Sequence, residues 1–72
     1  MNSLKKARLS NGLTQVQLSE IASVTQCTIS NLESGYMFPR PFMRAKLDSI
    51  LGPVDWQAMR KSYLEKELES IT

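Results

Sequence analysis

Apolar residues recur at helical spacing along the whole chain, and no convincing period-two alternation marks a strand. Leu4, Ala7 and Leu9 lie in a first helix that stops at Asn11-Gly12, a C-terminal signal. Thr14 opens a second helix. Gln17 stands three residues on, which makes a capping box: the Thr hydroxyl takes the amide of residue 17, and the Gln side chain reaches back. Leu18, Ile21 and Ala22 are the expected buried face of this short helix, which ends near Ser23-Val24. Thr25 caps a third helix that Gly35 ends. The loop YMFPRP follows, and then a fourth helix from Phe42 to Leu51 with Leu47, Ile50 and Leu51 inward. Gly52-Pro53 reads as a stop and a restart. Residues 54–71 form a longer fifth helix, with Trp56, Met59, Tyr63, Leu64, Leu68 and Ile71 at helical spacing and Glu and Lys opposite, Lys61 and Glu65 being an i,i+4 pair. Five helices with little loop between them predict an all-α, compact five-helix bundle.

The third helix, within TQCTISNLESG, has an unusual outer face. At about 100° per residue, Ile29 and Leu32 fall together with Thr28 on the arc that anchors the helix to the core. Gln26, Cys27, Ser30, Asn31 and Ser34 fall on the opposite arc, which holds no Lys, Arg or aromatic residue. Such a face is either idle solvated surface or a surface that reads a partner through hydrogen bonds.

Length and composition narrow the setting. The chain has 72 residues and is read as one domain, with a core over 3–52 and a C-terminal helix over 53–72. A domain this small buries only about 60% of the surface of its unfolded chain, so its stability needs support. One cysteine gives no disulfide, and without histidine it gives no metal ligand set. Oligomerisation is the remaining support. There is no catalytic Cys/His pair, no Gly-rich phosphate loop and no acidic pair with metal spacing, so neither enzyme chemistry nor a cofactor nor a small-molecule ligand is expected. The start, MNSLKKARLS, lacks a signal-peptide core, and no run is long enough for a bilayer; the expectation is a reduced, cytoplasmic protein. Net charge is +2, divided as +3 over residues 1–51 and −1 over 52–72. The basic part suits a polyanion; the acidic tail does not.

Two short helices joined by a tight turn suggest a helix-turn-helix. A major groove admits one helix braced by another, and side chains from its first turns reach base edges. Gln and Asn present a donor beside an acceptor and so match adenine; Ser and Thr suit either type of edge, and Cys can touch a thymine methyl.

From Leu4 to Gly35 the chain resembles the Cro/C1-type helix-turn-helix family of phage and bacterial repressors, and the likeness extends over roughly residues 3–52. It rests on Arg8, on Leu13-Thr14-Gln15 with Leu18, on Val24-Thr25, on Ile29-Ser30, on Glu33-x-Gly35, on Pro39 and on the Leu-Gly ending at 51–52. The resemblance implies a lambda-repressor-like fold with the helix-turn-helix in helices two and three. It implies base contacts from Gln26, Cys27 and Asn31. Gln15 would bond a phosphate and buttress the reading helix, with Thr28 and Ser34 near phosphates. Arg8 and Glu33 would pair with each other inside the domain. The family usually has Gly where this chain has Ser23, and Ala where it has Ser19. Its loop after the motif is normally polar or basic; here Tyr36, Met37 and Phe38 stand there, with Phe42 and Met43 beyond. Arg40 and Arg44 are the nearby candidates for backbone contacts.

Two functions follow as expectations. The first is a sequence-specific DNA-binding regulator, a homodimer on a pseudo-palindromic double-stranded operator. The second is an antirepressor that binds a cognate repressor protein through its uncharged third helix, the loop residues Tyr36, Met37 and Phe38, and Leu64 and Leu68. The loop apolars either fold back on the core or form that interface. Leu64, Leu68 and Ile71 are core or a dimer or partner contact.

Overall fold

In a computed structural model the described part of the chain is residues 2–71, with side chains as far as Glu69. The elements are α1 (Ser3–Ser10), α2 (Gln15–Ala22), α3 (Gln26–Ser34), α4 (Pro41–Leu51) and α5 (Trp56–Ile71), and no strand occurs among the described residues. Each start has a local cause. Asn2 Oδ1 accepts the Lys5 amide at 2.9 Å. At α2 both halves of the capping box are made: Thr14 Oγ1 accepts the Gln17 amide at 3.0 Å, and Gln17 Oε1 accepts the Thr14 amide at 2.9 Å. Thr25 Oγ1 accepts the Thr28 amide at 3.1 Å. α4 begins one residue earlier than the sequence suggests because Pro41 occupies its first turn, where a missing N–H costs nothing. α5 begins at Trp56, two residues later than expected, since Asp55 acts as its cap by accepting the Ala58 amide at 3.1 Å.

Leu4, Leu18, Ile29, Leu32 and Leu47 are wholly buried and come from α1, α2, α3 and α4. Each such side chain contributes about 1.5–3 kcal/mol on leaving water. Val54 and Met59 close the core from the α5 side. Ile21 is a correction to the expected buried face of α2: it is 53% exposed, and Ser19 is buried instead. The inward arc of α2 is Leu18, Ser19 and Ala22; at about 100° per residue Ile21 falls beyond its edge. The Ser19 hydroxyl donates back to the Val16 carbonyl at 2.7 Å, so its burial leaves no orphan.

Polar side chains clasp the elements together. Asn2 Nδ2 donates to the Leu32 carbonyl at 2.9 Å, tying the start of α1 to α3. Asn11 Nδ2 donates to the Leu51 carbonyl at 3.0 Å, tying the end of α1 to the end of α4. Asp48 Oδ1 accepts the Val54 amide at 3.1 Å and the Trp56 indole N–H at 2.9 Å, which sets the direction in which α5 leaves α4. The first half of α5 therefore packs on its own domain, with Met59 buried and Trp56 against the core. Leu64 and Leu68 turn outward, 51% and 64% exposed. The Ile71 side chain, the last of the expected stripe, lies outside the described residues.

Candidate nucleic-acid interface

The turn between α2 and α3 is Ser23-Val24-Thr25. Ser23 takes a left-handed backbone, φ 58° and ψ 42°, the one non-glycine residue with positive φ among those described. This conformation lets the Ser23 and Val24 amides close α2, on the carbonyls of Glu20 (3.3 Å) and Ser19 (3.0 Å). Val24 packs against the core, and Thr25 starts α3 at once. The two helices are thereby fixed in orientation by backbone rather than by long side chains.

A polar network behind α3 adds a second brace. Arg8 Nε donates to Glu33 Oε2 at 2.6 Å and Arg8 Nη2 to Glu33 Oε1 at 3.0 Å, a two-pronged pair whose side chains are 7% and 4% exposed. Arg8 Nη1 reaches the Leu13 carbonyl at 2.7 Å, so the α1–α2 loop joins the same group. The hydrogen bond and charge of Glu33 raise the Arg8 pKa above its usual value, against the opposing effect of burial, and the guanidinium stays charged. Gln15 Nε2 donates to Glu33 Oε1 at 3.2 Å. The Arg8–Glu33 pair thus gathers α1, the following loop and the first residue of α2 onto α3, the loop through Arg8 and Gln15 through the carboxylate.

The face of α3 away from this brace is open. Gln26 and Cys27 are exposed at its first turn, and Ser34 is exposed at its end. Ser30 and Asn31 are half-buried between them. Asn31 Nδ2 donates to Cys27 Sγ at 3.7 Å, one turn back, which orients the amide. Thr28 sits at the side, its hydroxyl 3.0 Å from that of Thr25.

A helix-turn-helix family model matches residues 4–57 of the chain. The chain belongs to the Cro/C1-type helix-turn-helix family. It is a DNA-binding regulator of that family, whose domain binds double-stranded DNA and is not an enzyme. No curated protein and no solved structure matches the chain. No helix among the described residues is long and apolar enough to cross a membrane, and no group of His, Cys, Asp or Glu among them suits a metal ion.

In this Cro/C1-type domain the candidate residues do not all share one surface. Gln26, Cys27 and Asn31 lie on the open face of α3, while Gln15 reaches behind it to Glu33. Arg40 is exposed at the start of α4. Arg44 is half-buried, with Nη1 held by the Pro39 carbonyl at 2.7 Å. Tyr36 and Met37 are exposed, 70% and 41%. Phe38 differs from them: it packs against the core and meets the Tyr63 ring, centroids 6.1 Å apart, so it belongs in part to its own domain. Phe42, at 78%, is the most exposed large apolar side chain among the described residues.

Two side chains of α5 join this region without any sequence expectation. Lys66 Nζ donates to the Ser34 carbonyl at 2.5 Å and stands 4.6 Å from the Tyr36 ring centroid. Arg60 lies over Phe38 at 5.0 Å. No local pattern could have given these contacts, because they join positions more than twenty residues apart.

Proposed function

We propose that this chain is a sequence-selective repressor or Cro-like regulator, acting as a homodimer on a pseudo-palindromic operator with one α3 in each major groove. The single observation that carries the reading is the open, uncharged and hydrogen-bonding face of α3, held by the Glu33 network behind it. Gln26 and Asn31 are assigned to base edges, with Cys27 beside them for a thymine methyl. Gln15, Thr28, Ser34, Arg40 and Arg44 are assigned to the sugar-phosphate backbone, which fixes register without carrying sequence. Exposed Leu64 and Leu68, one helical turn apart on α5, are assigned to the contact between copies. The setting this suits is a phage genetic switch.

The test is selection of duplexes from a random pool by the purified chain, followed by titrations of variants. Gln26→Ala and Asn31→Ala are each expected to cost about 1–3 kcal/mol on the selected duplex and to flatten preference at one base pair, with unchanged thermal stability. Wild-type affinity and preference in both variants would refute base reading by α3.

A second reading has one observation in its favour. Exposed Met37 and Phe42 line a groove of about 320 Å³ that reaches Thr28 and Leu32 of α3. An apolar rim beside a neutral helix suits a protein partner, such as a cognate repressor, better than it suits phosphates. In this antirepressor reading Phe42→Ser abolishes capture of the repressor, and wild-type protein alone selects no duplex.

A further inference from the structure

Two arginines from different helices share one aromatic ring. Arg44 of α4 and Arg60 of α5 place their guanidinium carbons 5.2 Å and 5.0 Å from the Phe38 ring centroid. Stacking on the ring stabilises each cation. It does not relieve the repulsion between them. Among the described residues neither guanidinium has a carboxylate within ion-pair distance. The nearby Asp48 is already engaged by the Val54 amide and the Trp56 indole. Arg44 is partly satisfied through Nη1 on the Pro39 carbonyl, which fixes its plane and leaves its other N–H groups for a ligand. The Arg60 guanidinium has no hydrogen bond to the described residues. The two cations open on a cleft of about 200 Å³ walled by Phe38, Trp56 and Gln57.

We propose that this cleft is a phosphate subsite, in which Arg44 and Arg60, preset on Phe38, clamp a backbone phosphate of duplex DNA flanking the bases under α3. A phosphate supplies the missing negative charge, and its oxygens match the planar donors of guanidinium. The ring links the two surfaces: Phe38 also walls the groove that runs to Thr28 and Leu32 of α3. The subsite answers the weak point of the reading helix, which carries no positive charge of its own. It makes Arg60, on an otherwise acidic tail, a contributor to affinity and not to sequence choice. The proposal rests on the reading that α3 enters the major groove.

The experiment has two arms on the full chain. In the first, Arg60→Gln is titrated against a selected duplex and a scrambled one over a range of salt. It is expected to weaken both alike, to lower the slope of log affinity against log salt by about 0.9, and to keep the base preference. Arg60→Lys, which keeps charge but not the planar fork, is expected to recover the slope in part. Affinity and slope unchanged in Arg60→Gln would overturn the proposal. The second arm uses inorganic phosphate at constant ionic strength and the fluorescence of Trp56, the one tryptophan, which lines the cleft. It decides the matter if the wild-type chain selects no duplex and the DNA reading itself fails. A saturating response lost in Arg60→Gln would keep the cleft as a phosphate site. No response, or the same response in both proteins, would remove it.

Discussion

The α1–α3 half and the α4–α5 half of this domain are held by different physics. Behind α3, the Arg8–Glu33 pair is sealed from water and ties α1, the α1–α2 loop and the start of α2 to α3. At the other edge, beyond Met59 and the Asp48 bonds that start it, α5 is joined to the α3–α4 loop by cations laid over exposed or half-buried rings: Lys66 on Tyr36, and Arg60 beside Arg44 on Phe38. Buried, two-pronged bonds fix one geometry and are costly to break. Exposed cation–π contacts are worth only about 0.5–1 kcal/mol each and let the partners slide. The contrast teaches where rigidity has been placed. The helix that would read bases sits on the stiff side, and the basic rim sits on the yielding side.

The comparison breaks most sharply at Arg8. Arg8→Ala leaves the Glu33 carboxylate buried with Gln15 alone and strands the Leu13 carbonyl. The expected loss is about 3–5 kcal/mol in urea unfolding, most of the stability of a marginal domain. Arg8→Lys is expected to rescue little, since an ammonium does not reproduce the fork. A loss below about 1 kcal/mol would place this pair among ordinary surface pairs and erase the distinction between the halves.

Ser23 sharpens the comparison in the opposite direction. The stiff half contains a strained residue, a serine at φ 58° where glycine carries no penalty. Ser23→Gly is expected to raise stability by about 1 kcal/mol, net of the backbone entropy that glycine adds to the unfolded chain. The urea midpoint should rise with the slope of the transition unchanged. A destabilised Ser23→Gly would mean that the hydroxyl, and not the backbone angle, governs the turn.

The same division runs through what the sequence makes legible. In α1–α3 the signals are local. Thr14 with Gln17, Thr25 before α3 and Gly35 after it set ends within a turn of each residue, and the polar arc of α3 follows from periodicity alone. The Arg8–Glu33 pair, 25 residues apart, was accessible only through the family resemblance. Ile21 misleads because an apolar residue at the margin of a narrow face satisfies the pattern without being covered. In α5 the pattern is weaker still: Met59 is buried while Leu64 and Leu68 are not, although all three recur at helical spacing. Which of them meets the core depends on how Asp48 aims the helix through its bond to Trp56, a polar contact that the spacing of apolar residues does not register. The Arg60 and Lys66 contacts depend on that aim in turn.

Lys66 offers the finest test of the yielding half. Its ammonium donates to the Ser34 carbonyl at the C-terminus of α3, where the helix dipole favours a cation, and its stem crosses Gly35, with Cδ 3.2 Å from where a β-carbon would stand. Lys66→Ala removes both and is expected to cost about 0.3–1 kcal/mol. Lys66→Met keeps the apolar stem and removes the charge, so its difference from wild type reports the ammonium on the Ser34 carbonyl and the Tyr36 ring, and its difference from Lys66→Ala reports the stem. Amide exchange should quicken in the last turn of α3 in both variants, while the amides of α1 and α2 keep their protection. Equal quickening across α1, α2 and α3 would mean that α5 stabilises the whole bundle cooperatively, and that the two halves are one mechanical unit.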